Sequence, residues 1–178
     1  MVMMFVSSSS MLACDGQGDC TSANPCEVTI DYADNLAQML RKVHKVDWID
    51  PDLSDQSVYP IDGHGIATYQ LEFVELTGGD PVLGEKRLTT ENALTEIYAR
   101  GLEPARIEHL LALGAVDLGI LWEKPVVAIG SIDEPTTMWT PCSDVIQRGT
   151  KQQFTALLKV YYNSGAWDGT IRFLAVRP

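Results

Sequence analysis

The sequence predicts a single α+β domain, with an antiparallel sheet of about four to six strands covered on one face by two or three helices. The chain has 178 residues, of which 46% are hydrophobic, so it can bury one sizeable core. Segments that alternate apolar and polar residues stand beside segments with apolar residues at helical spacing. No internal repeat or linker divides the chain. We therefore predict an extended N-terminal arm over residues 1–25 and one domain over residues 26–178.

Alternation of apolar and polar residues predicts the strands. It is clearest in the first half of a hairpin predicted over residues 66–88, where one face carries four apolar side chains, Ala67, Tyr69, Leu71 and Phe73. The Gly-Gly-Asp-Pro turn that follows favours a returning strand. A C-terminal hairpin is predicted between residues 154–162 and 170–176. Shorter strands are predicted at 26–30 and in the almost wholly apolar run 125–131, which is typical of a strand buried on both faces.

Three helices are predicted, over residues 34–45, 90–100 and 104–113. In each of them apolar residues recur at three- and four-residue steps, as in a helix that packs one stripe against a core. The candidate N-cap residues are Asp31 or Asp34 for the first helix and Thr89 or Thr90 for the second. Gly101 is expected to end the second helix. Pro104 suits the first turn of the third helix, where its missing N–H costs nothing.

The second and third predicted helices, residues 90–113, raise the question of nucleic-acid binding. Their spacing around Gly101, in the stretch IYARGLEPARIEHLLALG, resembles the helix-turn-helix of bacterial regulators. The outward positions in and just before the helix that follows Gly101 would be Glu103, Arg106, Glu108 and His109. The resemblance implies that Arg106 and His109 contact DNA. The formal net charge of -11 opposes that function, because the chain as a whole repels phosphate. The competing interpretation, which we favour, is a pair of helices packed on the core.

The short stretch Asp-Gly-His-Gly at residues 62–65 is a candidate hydrolytic site. It resembles the segment around the catalytic histidine of subtilisin-type serine proteases and the Asp-x-His-Gly of metallophosphoesterases. The Gly-Thr-Ser and Gly-Asn-His segments of those families do not occur in this chain. The resemblance implies a metal-dependent hydrolase that uses Asp62 and His64, and the alternative is a tight turn that enters a strand. The candidate metal ligands are His44, Asp47, Asp50, Asp62 and His64.

The cysteines and the N-terminus leave the compartment open. Three cysteines lie at six-residue spacing and a fourth lies far away, in the set Cys14, Cys20, Cys26 and Cys142. Two disulfides, free thiols and a zinc site are all compatible with this pattern, although tight Cys-x-x-Cys pairs are absent. The opening residues MVMMFVSSSSMLAC loosely resemble a lipoprotein signal. We expect a cytoplasmic or virion protein and leave export as a lipoprotein as the alternative.

The predicted function is structural. We find no cooperating set of polar residues, no phosphate-binding loop and no run of about 18 apolar residues that could span a membrane. The sequence therefore predicts no catalytic residue and no cofactor. It favours a non-enzymatic protein that self-associates or joins a larger complex of protein subunits, such as a viral or phage particle. The candidate interface residues are three tryptophans near predicted loops, Trp122, Trp139 and Trp167.

Overall fold

The fold is seen in a computed structural model that describes residues 20–43, 46, 48–76, 89–116, 124–131, 139–148, 153–162, 167 and 171–178. The strands are β1 (Cys26–Asp31), β2 (Trp48–Ile49), β3 (Ile66–Glu75), β4 (Glu103–Pro104), β5 (Val126–Val127), β6 (Trp139–Arg148), β7 (Gln153–Tyr162) and β8 (Arg172–Arg177). The helices are α1 (Leu36–Lys42), α2 (Thr90–Ala99) and α3 (Ile107–Val116). Short 3-10 turns lie at Pro51–Ser54 and Ile129–Ser131.

One sheet contains all the described strands. Its order is β1-β3-β8-β5-β6-β7-β2, and β4 adds a second short partner to β8. The long strands pair antiparallel, whereas the two-residue strands β2 and β5 pair parallel with β7 and β8. With five long strands and three helices, the predicted α+β fold class is confirmed.

Strand β8 divides the core into two clusters. Leu174 and Val176 belong to a cluster with α1 and α3, while Phe173 and Ala175 belong to a cluster with α2. Successive side chains of a strand point to opposite faces, so the two clusters lie on opposite sides of the sheet. The expectation that all three helices share one face is therefore wrong for α2. The reason is that β8 is apolar on both faces and each face needs a cover.

The helix boundaries follow from local hydrogen bonds. A capping box starts α1, because Asn35 and Gln38 each accept from the backbone N–H of the other. This replaces the aspartates that we expected as caps. Thr89 caps α2 as predicted, and Gly101 follows the end of that helix at φ +71°, a conformation that favours glycine.

The connection between α2 and α3 differs from the prediction. Glu103 and Pro104 form β4, which pairs with Val176 and Ala175 of β8. Pro104 is therefore part of a strand and not of the first helical turn. Proline has no backbone N–H to donate to a neighbouring strand, and a short strand such as β4 tolerates this. Because β4 separates the two helices and α2 lies on the other face of the sheet, the expected helical hairpin is not formed.

Strand pairing also departs from the sequence-based expectation. The C-terminal hairpin prediction is wrong, because β7 pairs with β6 and β2, while β8 lies between β3 and β5. Strand β6 was not predicted. The returning strand of the hairpin predicted over residues 66–88 lies outside the described residues, and β3 pairs with β1 and β8. In the run 125–131 only β5 is a strand, and it is buried on both faces as predicted.

The structure answers part of the cysteine question. Cys20 and Cys26 form a disulfide that ties the segment before β1 to its first residue. This pairing belongs to the disulfide alternative that the cysteine spacing left open. Cys14 and most of the predicted arm lie outside the described residues, and Cys142 is described only in its backbone within β6. None of the three described helices has both the length and the apolar composition of a membrane span.

Candidate functional site

Six polar side chains meet where β1, the loop before β3 and the start of α3 come together. We call them the Arg106 cluster: Tyr32, Asp62, Tyr69, Arg106, Glu108 and His109. They come from four separate parts of the chain, which the packing of α3 on β1 brings together. Clusters of titratable groups with perturbed pKa values are candidates for functional sites.

Arg106 is the central cation of the cluster. Its Nη2 donates to the carbonyl oxygen of Pro60 at 2.7 Å and lies 2.9 Å from Oδ2 of Asp62. Its Nε lies 3.6 Å from Oε1 of Glu108. The guanidinium group therefore joins the loop before β3 to the first turn of α3. These two segments lie far apart in the sequence.

His109 is held in one tautomer. Its Nδ1 accepts the backbone N–H of Arg106 at 3.1 Å, so the ring carries its proton on Nε2. The ring meets Tyr69 edge to face, with centroids 4.7 Å apart. Burial, with a smaller contribution from the charge of Arg106, lowers the pKa of His109 to about 4. His109 is therefore neutral at pH 7, and its Nε2 has no hydrogen-bond partner in the described part of the chain.

Two tyrosines close the cluster next to the glycine-rich turn. The hydroxyl oxygens of Tyr32 and Tyr69 lie 2.8 Å apart. Burial and this hydrogen bond raise the pKa of Tyr32, so its hydroxyl stays protonated at neutral pH. The Tyr32 ring packs so closely on Gly63 that a Cβ there would overlap it, and Gly65 has φ +69°. The turn alternative thus accounts for both glycines of the Asp-Gly-His-Gly stretch.

Glu108 is the most constrained acid of the cluster. Its side chain is 3% exposed, and burial raises its pKa. Oε1 faces Arg106, whereas Oε2 has no hydrogen-bond partner among the described residues. Glu108 lines a cavity of about 110 Å³ between β1, α1 and α3, which we call the Glu108 cavity. Its other lining residues include Asp31, Asp34, Met39, Lys42, Leu111 and Ala112.

The predicted metal ligands do not form a site in the described residues. Asp62 pairs with Arg106, His64 is exposed, and Asp50 accepts from the backbone N–H of Asp52 at the start of a 3-10 turn. No group of three or more His, Cys, Asp or Glu side chains suited to a metal occurs in the part of the chain that the structure describes. Two candidates lie outside that part, His44 and Asp47.

Of the two residues expected to contact DNA, His109 is buried and Arg106 is partly exposed. His109 and Glu108 are buried, and Arg106 is engaged by Pro60 and Asp62. The predicted outward position is therefore wrong for Glu108 and His109, while Arg106 is partly exposed and Glu103 is exposed as expected. Helix α3 is covered by β1, α1 and β6, so almost its whole circumference is buried. The one α3 side chain classed as exposed is that of Val116, which has no hydrogen-bond donor or charge for a DNA groove.

Of the three tryptophans predicted at an interface, the structure tests one. Trp167 is 2% exposed, so its interface assignment is wrong. Its Nε1–H donates to Oγ1 of Thr90 at 3.0 Å, and its ring meets Phe173 edge to face. It therefore packs in the core beneath α2. Trp122 and the side chain of Trp139 lie outside the described residues.

Sequence reasoning missed Tyr32 and the role of Glu108. One signal was available: Glu108 and His109 are adjacent polar residues in an otherwise apolar helix, IEHLLALGAV. Such a pair is either at the helix surface or buried in a specific polar cluster, and only the packing decides which.

Comparison of the chain with models of protein families, with curated proteins and with solved structures found no match.

Proposed function

We propose that this is a non-enzymatic structural protein that self-associates through the edge strand β1. The observation that carries the proposal is the position of β1 at one end of the sheet. It pairs with β3 on one side, and no strand of the described chain lies against its other side. An uncovered strand edge offers unpaired backbone groups to another strand.

The side chains of β1 suit such pairing. Neither proline nor lysine, residues that commonly protect strand edges, occurs in its six residues. One face is buried against α1 and α3. The other face is a polar ladder, in which Thr29 and Thr68 hydroxyls lie 3.2 Å apart and Gln70 donates to Glu27 at 2.7 Å. A second strand can extend this ladder without burying an unpaired apolar surface.

Charge distinguishes two of the registers open to two copies related by a two-fold axis. Antiparallel pairing with Val28 opposite Val28 of the second copy places Glu27 opposite Thr29 of the second copy. Pairing centred on Thr29 would instead place Glu27 opposite Asp31, and like charges directly opposite each other are destabilising. We therefore expect the Val28-centred register.

The expected association is weak and depends on salt. A pair of six-residue strands is a small interface, well below the size of permanent dimers. Each copy also carries a formal charge of -11, so the two copies repel each other at low ionic strength. Added salt screens this repulsion, and we expect it to favour the dimer.

The test is sedimentation velocity of the full chain over a range of concentrations and salt. Thr29→Glu places two like-charge contacts in the Val28-centred dimer, and each should cost about 0.2–1 kcal/mol. The dissociation constant of the dimer should therefore rise roughly two- to thirty-fold. Thr29→Lys creates opposite charges at the same contacts and should retain or tighten the dimer.

Thr68→Glu is the matched control. It breaks the same Thr29 to Thr68 hydrogen bond and adds the same charge, but it lies on β3, away from the edge. It should leave the dissociation constant close to that of the parent chain. A chain that is monomeric at every concentration, or a Thr68→Glu effect equal to that of Thr29→Glu, would contradict the proposal.

A further inference from the structure

We propose that residues 60–64 form a strap that opens locally in acid, when a proton on His109 releases Arg106. The strap lies between Tyr59, which is buried, and the start of β3. This inference concerns a loop that Arg106 holds against the body of the domain, and it does not depend on self-association through β1.

Arg106 supplies the polar attachment of the strap. Its Nη2 donates to the carbonyl oxygen of Pro60 at 2.7 Å and lies 2.9 Å from Oδ2 of Asp62. No backbone–backbone hydrogen bond joins residues 60–64 to another described residue. Within the described part of the chain, one guanidinium group therefore makes the polar contacts that hold the strap in place.

The remaining contacts of the strap are apolar or steric. Ile61 is partly buried against the core, and Gly63 lies against the ring of Tyr32. Gly65 directly follows the strap, and a glycine changes its backbone angles at little steric cost. Release of Arg106 would therefore allow the segment to move away while β3 stays paired.

His109 connects the position of Arg106 to pH. It is the third residue of α3, where the side chain of a capping box reaches back, and its Nδ1 accepts the backbone N–H of Arg106 at 3.1 Å. A protonated ring carries a proton on both nitrogens, so it cannot accept this N–H. It also places a cation within electrostatic range of the guanidinium group and in the first turn of a helix, where the helix dipole disfavours it.

The linkage favours opening as the pH falls. Burial, followed by the charge of Arg106, lowers the pKa of His109 from 6.5 to about 4 in the closed structure. Opening that hydrates the ring would return this pKa toward its ordinary value. The open state then binds the proton more tightly, so the ratio of open to closed molecules should rise roughly 100-fold between pH 7 and pH 4.

Other titratable groups face Arg106 or His109, and their effects must be separated from that of His109. They are Asp62, Glu108, Tyr32 and Tyr69. His64 lies on the strap itself and is exposed. Tyrosine hydroxyls ordinarily ionise far above this pH range, so the two carboxylates and His64 are the groups that need a control.

The test is native-state hydrogen exchange of the full chain between pH 7 and pH 4, corrected for the intrinsic exchange rate at each pH. Two amides report the opening: that of Arg106, and that of Tyr32, which donates to the carbonyl oxygen of Gly65 at 2.8 Å. Their protection factors should fall roughly 100-fold in acid and stay below those of the β8 amides at every pH. Low concentrations of urea should not change them, because local opening exposes little surface.

Two variants test the roles of His109 and Arg106 at the Tyr32 amide. His109→Phe cannot bind the proton, so its protection factor should be lower at pH 7 but nearly constant down to pH 4. Arg106→Gln removes the guanidinium group, so protection should fall by about tenfold or more already at pH 7. The amides of β8 in the same spectra report whether each variant is folded.

Three control variants each remove one competing titration. His64→Asn replaces the exposed histidine of the strap, while Asp62→Asn and Glu108→Gln keep a polar side chain and remove its charge. All three should retain the loss of protection in acid. The inference fails if the Arg106 and Tyr32 amides exchange only together with those of β8, if His109→Phe responds to acid like the parent chain, or if any control variant abolishes the response.

Discussion

His109 shows how burial converts a common residue into a source of pH-dependent stability. The folded state holds its pKa at about 4, below the ordinary value of 6.5. Below pH 6.5 the unfolded chain binds a proton on this residue that the folded chain does not bind. The contribution of His109 to stability is therefore fully present above pH 6.5 and is lost as the pH falls toward 4.

The replacement of His109 by phenylalanine tests this linkage. The parent chain should lose on the order of 3 kcal/mol through His109 between pH 6.5 and 4. His109→Phe retains an aromatic ring beside Tyr69 and cannot bind the proton. The variant should be less stable at pH 7, because the backbone N–H of Arg106 loses its acceptor, but its stability should decline less steeply with acid. Urea unfolding at a series of pH values gives the comparison.

The other groups around His109 must be separated from this effect. Glu108 acts in the opposite direction, because its raised pKa favours the folded state as the pH falls toward the ordinary value of 4.5. Arg106 and Tyr69 also face the ring. All three are present in both proteins, so the difference between the two pH profiles isolates His109. Parallel profiles would show that His109 is not held neutral.

At the level of single residues, the sequence identified several members of the site but not their surroundings. Arg106, His109 and Asp62 were candidates, but the first two were assigned to DNA contacts and Asp62 to metal-dependent hydrolysis. Helical spacing indicates which residues share a face, but it does not indicate which faces another element covers. Helix α3 is covered on most sides, so residues predicted on its outer surface became part of a buried cluster.

Among the elements, the junction before α3 depends on the 3-10 turn at Ile129–Ser131. The Ser131 Oγ accepts the backbone N–H of Ile107 at 2.6 Å, which satisfies an amide at the start of the helix. Gly130 donates its backbone N–H to the carbonyl oxygen of Ala105 at 2.8 Å. The turn and the end of β4 are therefore in direct backbone contact.

This contact predicts that Gly130 cannot be replaced. A Cβ at residue 130 would lie 2.4 Å from the carbonyl oxygen of Pro104 and 2.8 Å from that of Ala105, and these are backbone atoms that cannot rotate away. Gly130→Ala should lower the free energy of unfolding by about 3 kcal/mol or more. Gly101→Ala is the matched comparison, since its φ of +71° is strained for alanine but nothing crowds it.

Gly101→Ala should lower the free energy of unfolding by roughly 1 kcal/mol, because only the left-handed backbone conformation is strained. Thermal or urea unfolding of the two variants measures the difference directly. If Gly130→Ala were as stable as Gly101→Ala, the turn and β4 would not be in the close contact described.

The elements themselves were easier to predict than their pairing. The segments that form β1, β3, α1 and α2 were predicted to within a few residues, because alternation, helical spacing and caps are local signals. Pairing is not local. The strand β8 was assigned to a hairpin with its neighbour in the sequence, but its apolar side chains on both faces require a central position in the sheet. Strand β6 lacks a regular alternation and contains Pro141, so it gave no strand signal.

At the level of the whole molecule, β8 joins the two sides of the core. Phe173 and Leu174 are both fully buried, and they point into the cluster with α2 and into the cluster with α1 and α3, respectively. Because adjacent residues of one strand complete both clusters, neither cluster can lose its packing without disturbing β8. We therefore expect the described domain to unfold as one cooperative unit.

Shortening one buried side chain on each face of β8 tests this expectation. Phe173→Ala should lower the free energy of unfolding by about 3–5 kcal/mol and Leu174→Ala by about 2–5 kcal/mol, through lost burial and the cavity left behind. Ile66→Ala, at a side chain that is 73% exposed, should change it by less than about 0.5 kcal/mol. In urea, both core variants should show a single transition with the slope of the parent chain, followed by circular dichroism and by tryptophan fluorescence. A second transition in Phe173→Ala alone would mean that the cluster beneath α2 unfolds separately, and the two sides of the sheet would then be independent units despite their shared strand.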